Sequence, residues 1–132
     1  MTLSYLVDTD WIIHYLSGNR KIVEKLRSFK EEGLSISIIS LAELYEGIYY
    51  SKNPDGNEEG LQNFLTGVTI LGIDEEICRI FGRERGKLRN QKQLIGDIDL
   101  LIASTGLYYK LPILTNNQRH YKMVAGLKIL SL

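Results

Sequence analysis

The sequence contains little cysteine and proline, no excess charge of either sign and no long apolar run. Its one cysteine among 132 residues, Cys78, cannot form an internal disulfide, and it is expected to be buried in a reducing compartment. Sixteen basic residues balance sixteen acidic ones, so net charge does not indicate a partner. No apolar run approaches the roughly 20 residues of a membrane-spanning helix, and no secretory leader opens the chain. We therefore expect a cytosolic protein without a membrane segment.

The composition is that of an ordinary globular protein, with 44% hydrophobic and 24% charged residues. Apolar periodicity predicts strands over residues 5–7, 34–39, 68–73, 111–115 and 127–132. It predicts helices over residues 10–16, 20–33, 40–52, 61–65, 74–92 and 97–110, and turn-forming residues predict a loop over 53–60. Alternating strands and helices favour a parallel sheet covered on both faces. We predict one α/β domain over residues 1–132, in three α/β/α layers around a mostly parallel sheet of four or five strands.

Two carboxylates directly follow the first predicted strand. In the segment YLVDTDWII, Asp8 and Asp10 come after an apolar run that is expected to enter the core. A buried, unpaired carboxylate is costly, so a structural partner or a function must offset that cost. Whether these acids have a function depends on other acids that end distant segments in the same way.

Acidic and amide side chains of distant segments are predicted to reach the same edge of the sheet. Glu43 lies in the first helical turn after the second strand, and Asp97 and Asp99 open the helix before the strand at 111–115. Thr115 and Asn117 leave the end of that strand. Ligands of open parallel sheets bind beyond the carboxyl ends of the strands. Three gathered carboxylates favour a hard divalent cation such as Mg²⁺.

Each of the later acids also has a structural explanation. Ser40 and Glu43 fit a capping box, in which the Glu side chain caps the helix backbone. Asp97 or Asp99 could be an ordinary helix N-cap. The sequence leaves these alternatives open.

Three stretches together resemble the PIN-domain ribonucleases, and in particular the VapC toxins of prokaryotic VapBC toxin–antitoxin pairs. They are YLVDTDWIIHYL, ISIISLAELYEGIYYSK and LIGDIDLLIASTGLYYKLPILTNNQRHYKMVAGLKIL. With the spacing between them they cover almost the whole chain. The resemblance implies a PIN-like fold and Mg²⁺- or Mn²⁺-dependent cleavage of RNA.

The resemblance also assigns roles by position. Asp8 and Asp99 would bind the metal, and Glu43 would hold a metal-bound water or act as general base. Asn117 stands at the fourth position, where the family commonly has Asp, and this loss of charge puts a second metal ion in doubt. The auxiliary residues would be Asp10, which is Asn in many relatives, Asp97, and Thr115, which would orient water or phosphate.

Basic residues near these acids are candidates for RNA contact. Residues 83–92, RERGKLRNQK, carry five cations and one anion, and phosphate contacts of this kind give affinity without sequence information. The predicted RNA-binding residues are Arg83, Arg85, Lys87, Arg89, Arg119 and Lys122. The alternative for each of them is a solvated helix face.

The resemblance implies two protein partners. A VapB-type antitoxin would bind the acidic groove, and a second copy of the chain would form a homodimer or higher oligomer through the apolar helices DWIIHYL and AELYEGIYY. Two rival functions remain: a haloacid-dehalogenase-like phosphatase with Asp8 as nucleophile, and a non-catalytic PIN-fold binding module. The order of the motifs opposes the phosphatase, because Thr115 follows Asp99 where that family has its Thr or Ser before the final acids.

Overall fold

The computed structural model describes residues 2–132, and in that range the chain forms one five-stranded parallel sheet. Its strand order is β3-β2-β1-β4-β5. The strands are β1 (Tyr5–Val7), β2 (Leu34–Ser37), β3 (Thr69–Leu71), β4 (Ile113–Leu114) and β5 (Ile129–Leu130). Because β1 lies between β2 and β4, the order reverses there, and this reversal opens a crevice at the carboxyl edge.

Seven helices within residues 2–132 flank the sheet. They are α1 (Thr9–Leu16), α2 (Arg20–Lys30), α3 (Ile38–Tyr49), α4 (Pro54–Leu65), α5 (Glu75–Asn90), α6 (Asp97–Tyr109) and α7 (Gln118–Tyr121). None of the helices in this range is both long and apolar enough to cross a bilayer. The predicted α/β fold with a central parallel sheet is confirmed.

Two hydrophobic cores lie on opposite faces of the sheet. Neighbouring strand residues point in opposite directions, so Val7 enters one core and Leu6 the other. The first core is packed by α1 to α4, with Trp11 and Phe64 among its largest side chains. The second is packed by α5, α6 and α7, and it includes the fully buried Tyr121. Tyr121 therefore belongs to the core and also reaches the edge of the sheet.

The start of β1 is held by a glycine that no other residue could replace without rearrangement. Gly33 has φ +114°, a backbone conformation that residues other than glycine rarely adopt. A Cβ atom at Gly33 would lie 2.1 Å from the carbonyl oxygen of Thr2. The Gly33 carbonyl accepts hydrogen bonds from the amides of Ser4 and Tyr5, at 2.9 and 3.1 Å. This contact fixes the path of β1 and hence the position of the acid that follows it.

The predicted loop over residues 53–60 is wrong, because those residues form the first turns of α4. Asn53 caps the helix by accepting a hydrogen bond from the Gly56 amide, and Pro54 occupies the first turn, where its missing N–H costs nothing. Leu61 and Phe64 then anchor the helix in the first core. The turn-forming composition of this segment reflects a helix start.

Two further expectations differ from the structure. The second strand ends at Ser37 and not at Ile39, because the Ser37 hydroxyl caps α3 by accepting from the Ile39 amide at 3.0 Å. Cys78 is exposed and not buried, since Ile77 is the residue of that helical turn that enters the interior.

Candidate active site

The candidate site lies at the carboxyl edge of the sheet, beside the reversal of strand order. Asp8 directly follows β1 and Thr115 directly follows β4, and these two strands are paired. Glu43 lies in the second turn of α3, the helix that follows β2. Segments far apart in sequence therefore meet in the position where open parallel sheets bind ligands.

Asp8 is a buried carboxylate whose two oxygens are both hydrogen-bonded. Only 4% of Asp8 is exposed. Its Oδ1 accepts from the Thr9 amide at 2.8 Å and from the Tyr121 hydroxyl at 3.1 Å, and its Oδ2 accepts from the Thr115 hydroxyl at 2.7 Å. Burial raises the pKa of the Asp8 carboxyl to about 7; the Thr115 hydrogen bond lowers this pKa, and the charge of Asp10 raises it. The ionised form is therefore costly in the absence of a cation.

Glu43 is linked to Asp8 through one intervening residue. The Thr9 hydroxyl donates to Glu43 Oε1 at 2.6 Å, while the Thr9 amide binds Asp8. The capping-box alternative is wrong, because the N-cap of α3 is Ser37. Ser40 lies inside the helix and is fully buried, and its hydroxyl has no hydrogen-bond partner among residues 2–132. An orphaned buried hydroxyl one turn from Glu43 is a polar atom that a bound water could satisfy.

Asp99 lies in the first turn of α6 and contacts a histidine. Its Oδ2 is 3.2 Å from His120 Nδ1, which is also 3.2 Å from Asn117 Nδ2. The backbone N–H of Asn117 donates to the Thr115 hydroxyl at 2.9 Å. The alternative of an N-cap role for Asp97 or Asp99 is wrong, because the N-cap of α6 is Gly96, which makes no side-chain cap bond.

These contacts form one continuous polar network at the edge of the sheet. From Glu43 it runs through Thr9 to Asp8, and from there through Thr115, Asn117 and His120 to Asp99. The three predicted acids therefore share one edge and one network. They are joined through side chains and through the backbone amides of Thr9 and Asn117, without direct contact between carboxylates in this chain of hydrogen bonds.

The two auxiliary acids lie in different places. Asp10 accepts a hydrogen bond from the Asn116 amide at 2.9 Å and lies 3.4 Å from the Thr115 hydroxyl, so it adjoins the network. The Asp97 side chain is 81% exposed and accepts from Arg85 Nη2 at 2.6 Å. Asp97 therefore joins α5 to α6, and within residues 2–132 its side chain makes no hydrogen bond to the network.

The candidate RNA-binding cations differ in exposure: Arg85 is mostly buried, and the other five are exposed. The Arg85 side chain is only 15% exposed; it donates to the Ile95 carbonyl at 2.9 Å and lies over the Phe81 ring. Lys87 pairs with Glu84 at 3.0 Å. The exposed cations of the predicted set are Lys87, Arg83, Arg89, Arg119 and Lys122.

The ligand chemistry of this edge fits a hard divalent cation. Among residues 2–132, no group of three or more His, Cys, Asp or Glu side chains could hold a metal ion as it stands. Mg²⁺ commonly binds through one or two carboxylates and keeps several waters. Asp8 and Asp99 can supply two carboxylates, because both lie near the Tyr121 hydroxyl. Burial raises the pKa of that hydroxyl above its usual range, and the negative charges of Asp8 and Asp99 raise it further. A cation beside Asp8 would also offset the cost of its buried charge.

Residues 5–126 match the family model of the PIN domain. The chain belongs to the PIN-domain family. The protein named Ribonuclease VapC2 of Haemophilus influenzae is 31% identical to it, over 96% of each chain. The tRNA(fMet)-specific endonuclease VapC of Shigella flexneri is 27% identical, also over 96% of each. The structure of VapBC2 from Rickettsia felis bound to a DNA fragment from their promoter matches with a TM-score of 0.92 and 26% identity, over 98% of this chain and 99% of that one.

The resemblance of the sequence to PIN-domain ribonucleases of the VapC type is thus confirmed. The PIN-domain match over residues 5–126 favours the nuclease prediction over the haloacid-dehalogenase-like phosphatase.

Three residues of the candidate site, Thr9, His120 and Tyr121, have no local sequence pattern that marks them as parts of it. Thr9 lies between Asp8 and Asp10, and its side chain carries no charge that would indicate a catalytic role. Tyr121 has the apolar pattern of a core residue. His120 follows the predicted RNA contact Arg119, and a single histidine beside basic residues does not by itself mark a site. The short helix α7, which presents both His120 and Tyr121, is only four residues long, too short to give an apolar period.

Proposed function

We propose that this PIN domain is a metal-dependent endoribonuclease that acts as the toxin of a toxin–antitoxin pair. The observation that carries the proposal is the buried Asp8 carboxylate, joined by hydrogen bonds to Glu43 and Asp99 at the ligand-binding edge of the sheet. The names of the relatives support it, because proteins called Ribonuclease VapC match the chain over nearly its whole length. The similar structure of VapBC2 bound to a DNA fragment from their promoter supports a VapB-type antitoxin as partner.

In the proposed mechanism, Asp8 and Asp99 would hold a Mg²⁺ or Mn²⁺ ion. When bound, such an ion lowers the pKa of a coordinated water and neutralises charge that develops on the phosphate. The three donors to Asp8 fix its carboxylate in one orientation, so that only small rearrangement is needed on binding.

Glu43 is the proposed general base. Thr9 occupies Glu43 Oε1, so Oε2 is the oxygen that accepts a proton from the attacking water. The Thr115 hydroxyl already donates to Asp8 and accepts from the backbone N–H of Asn117. We therefore assign Thr115 to the positioning of Asp8, and Asn117 to the orientation of water or phosphate through its side-chain amide.

RNA affinity comes from exposed cations, which attract phosphates without reading sequence. We assign this role to Arg83, Arg89, Arg119 and Lys122, and a smaller one to Lys87, which is partly neutralised by Glu84. Arg85 is used within the chain to bind Asp97 and the Ile95 carbonyl. Because the Shigella flexneri relative is named a tRNA(fMet)-specific endonuclease, tRNA is the first substrate to test.

Two copies of the chain would form the homodimer that the family resemblance implies. Candidate contact residues on the two apolar helices are exposed: Ile13 on α1, Tyr49 at the end of α3 and Tyr50 directly after it.

The deciding experiment uses purified protein freed of any antitoxin. It is incubated with total tRNA and with a synthetic single-stranded RNA, in Mg²⁺, in Mn²⁺ and in excess EDTA. We expect cleavage with either metal and none in EDTA. If neither metal gives cleavage, and Asp8→Asn is as toxic as the wild type on expression in cells, the protein is a non-catalytic PIN-fold module.

A further inference from the structure

His120 makes contacts that the proposed mechanism does not use. It lies in the short helix α7, and its side chain is 40% exposed while that of Asp99 is 26% exposed. One ring nitrogen, Nδ1, lies 3.2 Å from both Asp99 Oδ2 and Asn117 Nδ2. The other ring nitrogen takes part in neither contact.

A single ring nitrogen cannot serve both partners in the same way. An ionised carboxylate is only an acceptor, so the contact with Asp99 requires a proton on Nδ1. Asn117 Nδ2 is a donor and would require a lone pair on the same atom. The contact with the charged Asp99 is the stronger of the two. With Nδ1 protonated, the Asn117 amide is best satisfied when its oxygen faces the ring.

The next residue in the chain makes the corresponding contact with the other acid. Tyr121 donates to Asp8 Oδ1 at 3.1 Å, while His120 contacts Asp99 Oδ2. One short helix thus contacts both carboxylates through adjacent residues. Because Tyr121 is fully buried in the second core, α7 is anchored, and it can set the separation of the two acids.

We propose that His120 is a positioning residue for Asp99, which its Nδ1–H holds at a fixed separation from Asp8. The proposal rests on the nuclease function above, in which these two carboxylates hold the metal. Loss of the contact frees Asp99 to adopt other rotamers, so the metal affinity falls. Removal of an outer partner of a metal ligand typically costs about 10–100-fold in affinity or activity.

The first test reads the hydrogen bond without metal or activity. Long-range ¹⁵N–¹H spectra of the labelled, metal-free protein at a pH where imidazole is neutral report which ring nitrogen carries the proton. The chain has two histidines, and His14, exposed on α1, is the internal control. We expect Nδ1–H for His120 in the wild type and loss of that preference in Asp99→Ala, with His14 unchanged. An Nε2–H tautomer at His120 in the wild type overturns the proposal.

The second test compares three variants by Mn²⁺ binding, measured by electron paramagnetic resonance, and by RNA cleavage. Asn can place its amide near the position of Nδ1, whereas Gln reaches toward Nε2. We therefore expect His120→Ala and His120→Gln to weaken Mn²⁺ binding by about tenfold or more, and His120→Asn to keep most of it. Thermal melts of all three variants check that the fold is retained, and the comparison of Asn with Gln separates positioning from a loss of folding.

The remaining outcomes distinguish the two proposals. A raised KM for RNA with unchanged Mn²⁺ affinity overturns the positioning role, because it is the result expected of an RNA contact. Equal Mn²⁺ affinity in the wild type and His120→Ala also overturns it. If the wild type neither binds Mn²⁺ nor cleaves RNA, the nuclease proposal fails and the role of His120 fails with it.

Discussion

The end of β1 and the start of α6 each present one carboxylate to the site, in different surroundings. Asp8 is buried and accepts three hydrogen bonds from Thr9, Thr115 and Tyr121. Asp99 is a quarter exposed and contacts the side chain of His120. The two acids are equivalent in the proposed chemistry but not in the energetics of the fold. Asp8 should therefore affect both activity and stability, and Asp99 mainly activity.

The largest expected effect is the loss of cleavage when either carboxylate is neutralised. Asp8→Asn and Asp99→Asn each remove a proposed metal ligand, so kcat/KM should fall by about a thousandfold or more. For comparison, the loss of one hydrogen-bond donor from an oxyanion hole lowers kcat by about a hundredfold to a thousandfold. The measurement is cleavage of a synthetic RNA at saturating Mg²⁺. Asp55→Asn, at an exposed position in α4, is the control and should retain wild-type activity. An active Asp99→Asn variant would contradict the equivalence of the two acids.

The second prediction separates the two acids by stability. The pKa of Asp8 is about 7 in the folded chain and 3.8 in the unfolded reference, so the folded state binds more protons between these values. The contribution of this group to stability is therefore full below about pH 4 and is lost as the pH rises toward 7, by at most about 4 kcal/mol. Thermal unfolding of the metal-free protein in EDTA should show this fall between about pH 4 and 7.

Substitution at each acid identifies the group responsible. Asp8→Asn should flatten this pH dependence and make the metal-free protein more stable than the wild type at pH 8, because no charge is then buried. Asp99→Asn should keep the wild-type slope. If both variants show the same slope, the different surroundings of the two acids have no energetic consequence.

A smaller effect is expected where the network reaches Glu43. Thr9→Val removes the hydroxyl that holds Glu43 Oε1 but keeps the backbone bond to Asp8. We expect kcat to fall about tenfold, or about 1.4 kcal/mol, with KM for RNA unchanged. Thr9→Ser keeps the hydroxyl and should restore most of the rate. A Thr9→Val enzyme with wild-type kcat would exclude a role for this bond.

The smallest effect is expected on the exposed surface of α5. Arg89→Glu should raise KM for RNA several-fold and lower the salt dependence of binding by about one charge. Lys87→Glu should have less effect, because Lys87 is already paired with Glu84. Lys21→Glu, an exposed position on α2, is the matched control. Equal effects at all three positions would indicate general electrostatic attraction.

The sequence predicted the layers of the fold and the edge where the acids lie, because apolar runs that end in carboxylates are local patterns. The loop prediction over residues 53–60 failed because Asn, Pro and Gly also form helix starts, and only the burial of Leu61 and Phe64 decides between the two. The capping-box alternative failed for a similar reason: Ser37 and Ser40 are both good caps, and the position of β2 selects the first.

The connections within the site depend on tertiary distance and were beyond local patterns. Thr115 and Asp8 are 107 residues apart, and Tyr121 and Asp8 are 113 apart. No spacing rule relates such positions in a single sequence. Arg85 is engaged within the chain and Arg89 is exposed because of the way α5 packs against α6. Apolar periodicity alone does not predict this difference.

The long separation between Asp8 and Tyr121 has a consequence for synthesis on the ribosome. A nascent chain that has emerged only as far as β3 already carries Asp8, Glu43 and the Thr9 amide, but it lacks Asp99 and the hydroxyl donors Thr115 and Tyr121 that also hold Asp8. Nuclease competence cannot precede the emergence of residue 121. If the proposed nuclease function holds, the chain is therefore inactive during most of its own synthesis.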